Sequence, residues 1–181
     1  MYQLLNKANE ESWDLSKELD ASLDPFKCVE KDMKQLNHGI AELVANKHPL
    51  LSVMAKYYFQ IPGKRFRPTV VLLMGRATGG DDTTAARHIQ LAEIVEMIHT
   101  ASLAHDDVLD EAEERRSQPS INKFGNKFAI LVGDFLLARA SVSLANLKDH
   151  TVTGLLSNMI AELVEGEFVQ MRPQAELTME L

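Results

Sequence analysis

After residue 24, apolar residues recur at three- and four-residue steps along most of the chain. Val29, Met33, Leu36, Ile40, Leu43 and Val44 fall on one face of a predicted helix. A second short helix is predicted over Pro49 to Phe59. The segment IPGKRFRP (61–68) interrupts the pattern with proline and glycine. A helix then starts near Pro68, since proline suits a first helical turn, and runs through VVLLMGRAT. GGDDTT (79–84) reads as a turn. The longest helix is predicted from near Thr84 to about Asp110, with Ile89, Ala92, Val95, Met97, Ile98 and Leu103 on its apolar face. The charge run EAEERRSQPS (111–120) reads as a loop. Helices follow from Asn126 to Leu147 and from about Thr151 to Phe168, and Pro173 closes the pattern. No stretch alternates with strand period, and there is no internal repeat or low-complexity tract. The expectation is an all-α bundle of roughly six helices or more, over residues 25–181, behind a polar extension at 1–24.

Composition narrows the picture. The chain has 181 residues, of which 45% are apolar, so a real core is possible and a disordered composition is excluded. A formal charge of −7 argues against nucleic acid, whose phosphates need clustered Lys and Arg. The single Cys28 cannot form an internal disulfide and has no His or Cys at metal-ligand spacing. The first twenty residues carry several acids and no arginine, and read neither as a signal peptide nor as an organelle presequence. The most apolar stretch, Phe128 to Leu147, contains Asp134 and Arg139. It reads as a buried helix and not a transmembrane segment. Its stripe of Phe128, Leu131, Val132, Phe135 and Leu136, with Met159, Ile160 and Leu163 beyond, is expected in the core or on a dimer face, and Asp134 is expected to pair with a cation.

Candidate chemistry concentrates in HTASLAHDDVLDEAEERR (99–116). Asp106 and Asp110 are four apart and share a helix face, with Asp107 beside them. Carboxylates so close repel unless a cation lies between them. Oxygen-only ligands suit Mg²⁺, which keeps several waters and is often shared with substrate phosphates. Arg115 and Arg116 follow, and guanidinium forks match phosphate oxygens. Taken alone, the same acids fit a solvated helix end with intrahelical ion pairs. GKRFRP (63–68) puts Lys64, Arg65 and Arg67 at a helix N-terminus, either an anion site or an ordinary basic loop. His99 lies two turns before Asp106 on the same face, as a ligand-facing group or a core histidine.

In the order GKRFRP, IHTASLAHDDVLDEAEERR, PSINKFGNKFAILVGDFLLARA, the chain closely resembles the trans-polyprenyl diphosphate synthases. The resemblance runs from about Asp24 to Gln170 and is nearest the long-chain synthases that make quinone side chains, as for ubiquinone. It implies an all-α bundle of the isoprenoid synthase type and a prenyltransferase that joins an allylic diphosphate to isopentenyl diphosphate with Mg²⁺. By resemblance, Asp106, Asp107 and Asp110 chelate the metal on the allylic diphosphate. Lys64, Arg67 and His99 serve isopentenyl diphosphate. Arg115 serves the allylic diphosphate and Arg116 isopentenyl diphosphate. Ser117 stands where the family usually has glycine. GEFVQ (166–170) resembles a segment near the family's pocket wall, with no role assigned.

The positions four, five and eight before Asp106 are Ser102, Ala101 and Ile98, on the face leading away from the metal. The family blocks chain growth with an aromatic near the fifth position. Ala101 leaves the way open, so a long-chain product is expected. The resemblance also implies a second aspartate-rich motif, a lysine–threonine pair and a phenylalanine–glutamine segment. None is found in this sequence, and Asp81 and Asp82 precede the first motif and are no substitute. The expectation is therefore the N-terminal part of a synthase: a fragment, a short isoform, or a subunit of a homodimer or heteromer. The alternatives are a non-catalytic partner of a full-length synthase and an unrelated helical module. The compartment is expected to be mitochondrial or cytoplasmic.

Overall fold

The computed structural model describes residues 24–61, 63–79, 81–112, 114–115, 118–120 and 124–179, without the side chains of 82, 83 and 172–179. Apart from Asp24, the expected polar extension lies outside the described residues. Seven helices and one short hairpin are present among them: α1 (Pro25–Cys28), α2 (Glu30–Leu43), α3 (Pro49–Gln60), α4 (Phe66–Thr78), α5 (Asp82–Leu109), β1 (Glu114–Arg115), β2 (Gln118–Pro119), α6 (Asn126–Asn146) and α7 (His150–Met179).

Local chemistry sets several helix starts. Asp24 accepts the Phe26 N–H at 3.0 Å, ahead of Pro25 in the first turn of α1. Asp81, one of the glycine-turn acids, caps α5 by accepting the Thr84 N–H and hydroxyl, each at 2.9 Å. Asp149 accepts the N–H groups of Thr151 and Val152 at 3.1 Å and so opens α7.

α5 is the central element. Its Ile89, Ala92, Ala101 and Ala104 join a core with Leu36 and Ile40 of α2, Met54, Ala55 and Tyr58 of α3, Leu72 of α4 and Val132 and Leu136 of α6. Its Ile94, Met97 and Ile98 join a second core with Ala140, Leu144, Leu147 and Leu156. A helix apolar on both sides must be buried on both sides. Glycines, Gly133 and Gly39 among them, allow close approaches between helices. A Cβ on Gly133 of α6 would lie 2.2 Å from the His105 ring, and one on Gly39 of α2 would lie 1.9 Å from the Glu93 carboxyl. The same His105 ring stands 3.5 Å from Asp134, so the partner in the place of the expected cation is an imidazole, which is cationic only when protonated.

α6 is, by length and composition, the one described helix able to cross a membrane, but it lays Ala129, Val132, Gly133, Leu136 and Ala140 against α5. The expected apolar stripe divides. Val132 and Leu136 are buried, while Phe128, Leu131, Met159 and Leu163 are exposed.

Three expectations need correction. Pro173 does not end the last helix. α7 continues to Met179, because proline removes one backbone donor while its flanks here are strong helix formers. α7, with 30 residues, also exceeds the 28 of α5, which the pattern had made the longest. The loop at 111–120 contains an antiparallel pair, Glu114 opposite Pro119 and Arg115 opposite Gln118. Two-residue strands are too short to show alternation.

Candidate diphosphate site

The basic segment becomes a site through one backbone reversal. Arg65 has φ 49°, a left-handed conformation, immediately before α4. The turn leaves Lys64, Phe66 and Arg67 exposed. Lys64 and Arg67 border a cavity of about 110 Å³ that also takes in Tyr58, Glu96, His99 and Arg115. The Arg67 guanidinium donates to His99 Nε2 at 2.9 Å. The structure thus brings Lys64, Arg67, His99 and Arg115 to one cavity from three separate segments. Converging cationic and imidazole groups at this spacing suit a phosphate-bearing anion.

The aspartate motif splits. Asp106 is half-buried and Asp110, at the end of α5, is exposed. Asp107, about 100° round the helix from Asp106, points inward and is fully buried. Its Oδ1 accepts from Arg115 Nε at 2.7 Å and Nη2 at 2.5 Å. Its Oδ2 accepts from the Ser120 hydroxyl at 2.7 Å and from Tyr58 at 3.5 Å. A buried carboxylate is tolerable when its lone pairs are filled in this way. Burial, then the Asp107 charge, pushes the Tyr58 phenol well above its ordinary range, so it stays a donor.

Asp106 has the opposite setting. Burial and then Glu167 of α7 raise its pKa, Asp110 and Asp107 add to the rise, and Arg115 opposes it. The carboxylates around Asp106 outnumber the cations, which is the environment a divalent cation relieves. Asp106 and Asp110 fit Mg²⁺ as oxygen donors that leave room for water and phosphate. Asp107 does not turn toward them, and among the described residues no three His, Cys, Asp or Glu side chains converge as a ready metal site.

Of the chain-length positions, Ala101 is fully buried, Ile98 nearly so, and Ser102 is half-buried with its hydroxyl on the His99 carbonyl at 2.9 Å. The cavity wall next to His99 is instead Thr100 and Leu103. Arg116 and Ser117 lie outside the described residues. Tyr58 and Glu96 are not among the residues expected at the site, and Ser120 and Glu167 lie within the sequence motifs with no role assigned to them. Of these, Glu96 carried a signal, standing three residues before His99 on the same helix face. Tyr58 and Ser120 enter through distant segments and carried none.

The architecture and this site define an isoprenoid synthase fold, an all-α bundle with basic groups around one cavity and carboxylates at the end of the central helix. The profile of the family described as polyprenyl synthetase matches residues 48–181. The chain belongs to that family. It is 48% identical over 161 residues to a decaprenyl-diphosphate synthase of Dictyostelium discoideum, a match covering 80% of this chain and 35% of that protein. It is 41% identical over 198 residues to a protein named as a probable mitochondrial hexaprenyl pyrophosphate synthase of Neurospora crassa, covering 85% of this chain and 44% of the relative. Among solved structures, the polyprenyl synthase of Caulobacter crescentus, complexed with calcium and isoprenyl diphosphate, superposes with a TM-score of 0.77. It shares 30% identity, over 81% of this chain and 44% of that one. The chain therefore spans less than half the length of these relatives.

Proposed function

We propose that this chain carries the first half-site of a trans-polyprenyl diphosphate synthase, a prenyltransferase that extends an allylic diphosphate with isopentenyl diphosphate to a long-chain product for quinone side-chain synthesis. The observation that carries the reading is that Arg115, held by buried Asp107, borders the basic cavity and also acts on the charge of Asp106. Lys64, Arg67 and His99 hold the diphosphate of isopentenyl diphosphate. Asp106 and Asp110 would hold Mg²⁺, which when bound neutralises the allylic diphosphate as its C–O bond ionises. Arg115, fixed by Asp107, lies between the two and stabilises the departing diphosphate directly. The double bond of isopentenyl diphosphate then attacks the allylic cation, and a proton leaves the new chain. Holding both reactants in one crevice supplies proximity and keeps water off the cation. Ala101 puts no aromatic ring at the position where the family blocks chain growth, which supports a long product. The mitochondrial name of the Neurospora relative favours a mitochondrial setting over a cytoplasmic one.

The test is calorimetric. Farnesyl thiodiphosphate, an allylic analogue, binds the chain in Mg²⁺ and at least about tenfold more weakly in EDTA. Asp106→Ala removes the Mg²⁺ dependence. Binding indifferent to both Mg²⁺ and Asp106 overturns the proposal.

A further inference from the structure

Arg65 lies in the middle of the basic segment and borders the same cavity, yet its guanidinium is drawn back onto Glu96 and the Phe59 carbonyl. Its side chain is 18% exposed, against 7% for Glu96, with which it forms an ion pair. Its second nitrogen donates to the Phe59 carbonyl at 2.5 Å, and its guanidinium carbon stands 5.7 Å from the Phe59 ring centre. Its own carbonyl accepts the Thr69 N–H at 3.1 Å and the Thr69 hydroxyl at 2.7 Å. The residue is thus fixed at both ends in a left-handed conformation that a side chain rarely adopts. Strain of this kind persists where surroundings over-determine it. What the turn achieves is geometric. It reverses the chain between Lys64 and Arg67. The ion pair also ties the reversal to α5, one turn before His99.

We infer that Arg65 and Glu96 are a positioning pair that clamps the basic segment to α5, so that Lys64, Arg67 and His99 face one cavity, and that they act through those groups and not through their own charge. The inference rests on reading this cavity as a diphosphate site.

Electrostatics and positioning predict opposite signs, which makes the test sharp. Inorganic diphosphate is titrated into the whole chain without Mg²⁺, so that the basic cavity alone reports. Glu96→Gln removes a negative charge from the cavity wall. Charge alone would tighten binding. Positioning weakens it, by about tenfold if one charged hydrogen bond's worth of order is lost. The pair Arg65→Met with Glu96→Gln keeps the net charge and leaves no unpaired buried ion. It weakens binding to the same extent, and it decides the matter should the single variant fail to fold. In an Arg67→Ala background the Glu96→Gln effect shrinks, because the clamp has lost a group to position; general loosening would leave the effect intact. Binding that is unchanged or tighter in both the single and the paired variant overturns the clamp alone. A native chain that does not bind diphosphate overturns the clamp and the site reading together.

Discussion

Asp107 and Asp110 stand three residues apart and have different tasks. Asp107 is fully buried, and its oxygens accept from Arg115, Ser120 and Tyr58. Removing one partner of a buried pair leaves the other charged and unpaired. Asp107→Ala is therefore expected to destabilise the chain by about 3–5 kcal/mol. Asp110→Ala, at an exposed helix end, is expected to stay within about 0.5 kcal/mol of native stability while weakening Mg²⁺-dependent binding. Urea unfolding checks both, and equal midpoints for Asp107→Ala and the native chain would show that the pair contributes nothing. The acid spacing made the Asp106–Asp110 face legible beforehand. It could not show that Asp107 turns inward, because Tyr58 lies 49 residues away and Ser120 lies 13 away across a hairpin too short to leave a pattern.

At the scale of elements, α5 is where sequence and fold agree best, since a long run of apolar steps between a capping aspartate and a charged loop permits little else. Its contacts were less legible. Glu93 looks like a surface acid in the sequence, yet α2 offers Gly39 opposite it and the side chain is 9% exposed as a residue. Burial, then repulsion from Glu42 of α2, raises its pKa to about 7. Glu42 itself stands 3.4 Å from His38. A carboxyl with a raised folded pKa keeps its proton in the native state after the unfolded chain has lost it. Stability thus falls as pH climbs from the unfolded value of 4.5 through about 7, and Glu93 adds no further loss above that. Glu93→Gln should remove this slope, gaining on the native chain by about 3 kcal/mol between pH 4 and pH 8. Thermal melts across that range measure it. Parallel pH profiles for the two proteins would mean that Glu93 is solvated.

At the scale of the whole molecule, the last helix is the anomaly. Leu155, Met159 and Leu163 of α7 are exposed at four-residue steps along one side, with Val169 beyond them, and Val164, Phe168 and Met171 are exposed on the opposite side. Among the described residues, its first turns reach the core through Val152, Leu156 and Ile160. Soluble proteins rarely leave so long an apolar stripe uncovered. The chain spans less than half of its relatives, so the surface that meets this stripe in them need not belong to these residues. In isolation the stripe should drive association. Sedimentation velocity on the 181-residue chain is expected to show a concentration-dependent shift toward larger species. Leu155→Glu with Leu163→Glu, which places two charges on the stripe and touches neither the basic cavity nor the aspartates, should return it toward the monomer. A native chain that sediments as a monomer at all concentrations would mean that α7 folds back on its own bundle in solution. In that case the doubly charged variant should lose stability instead of losing association.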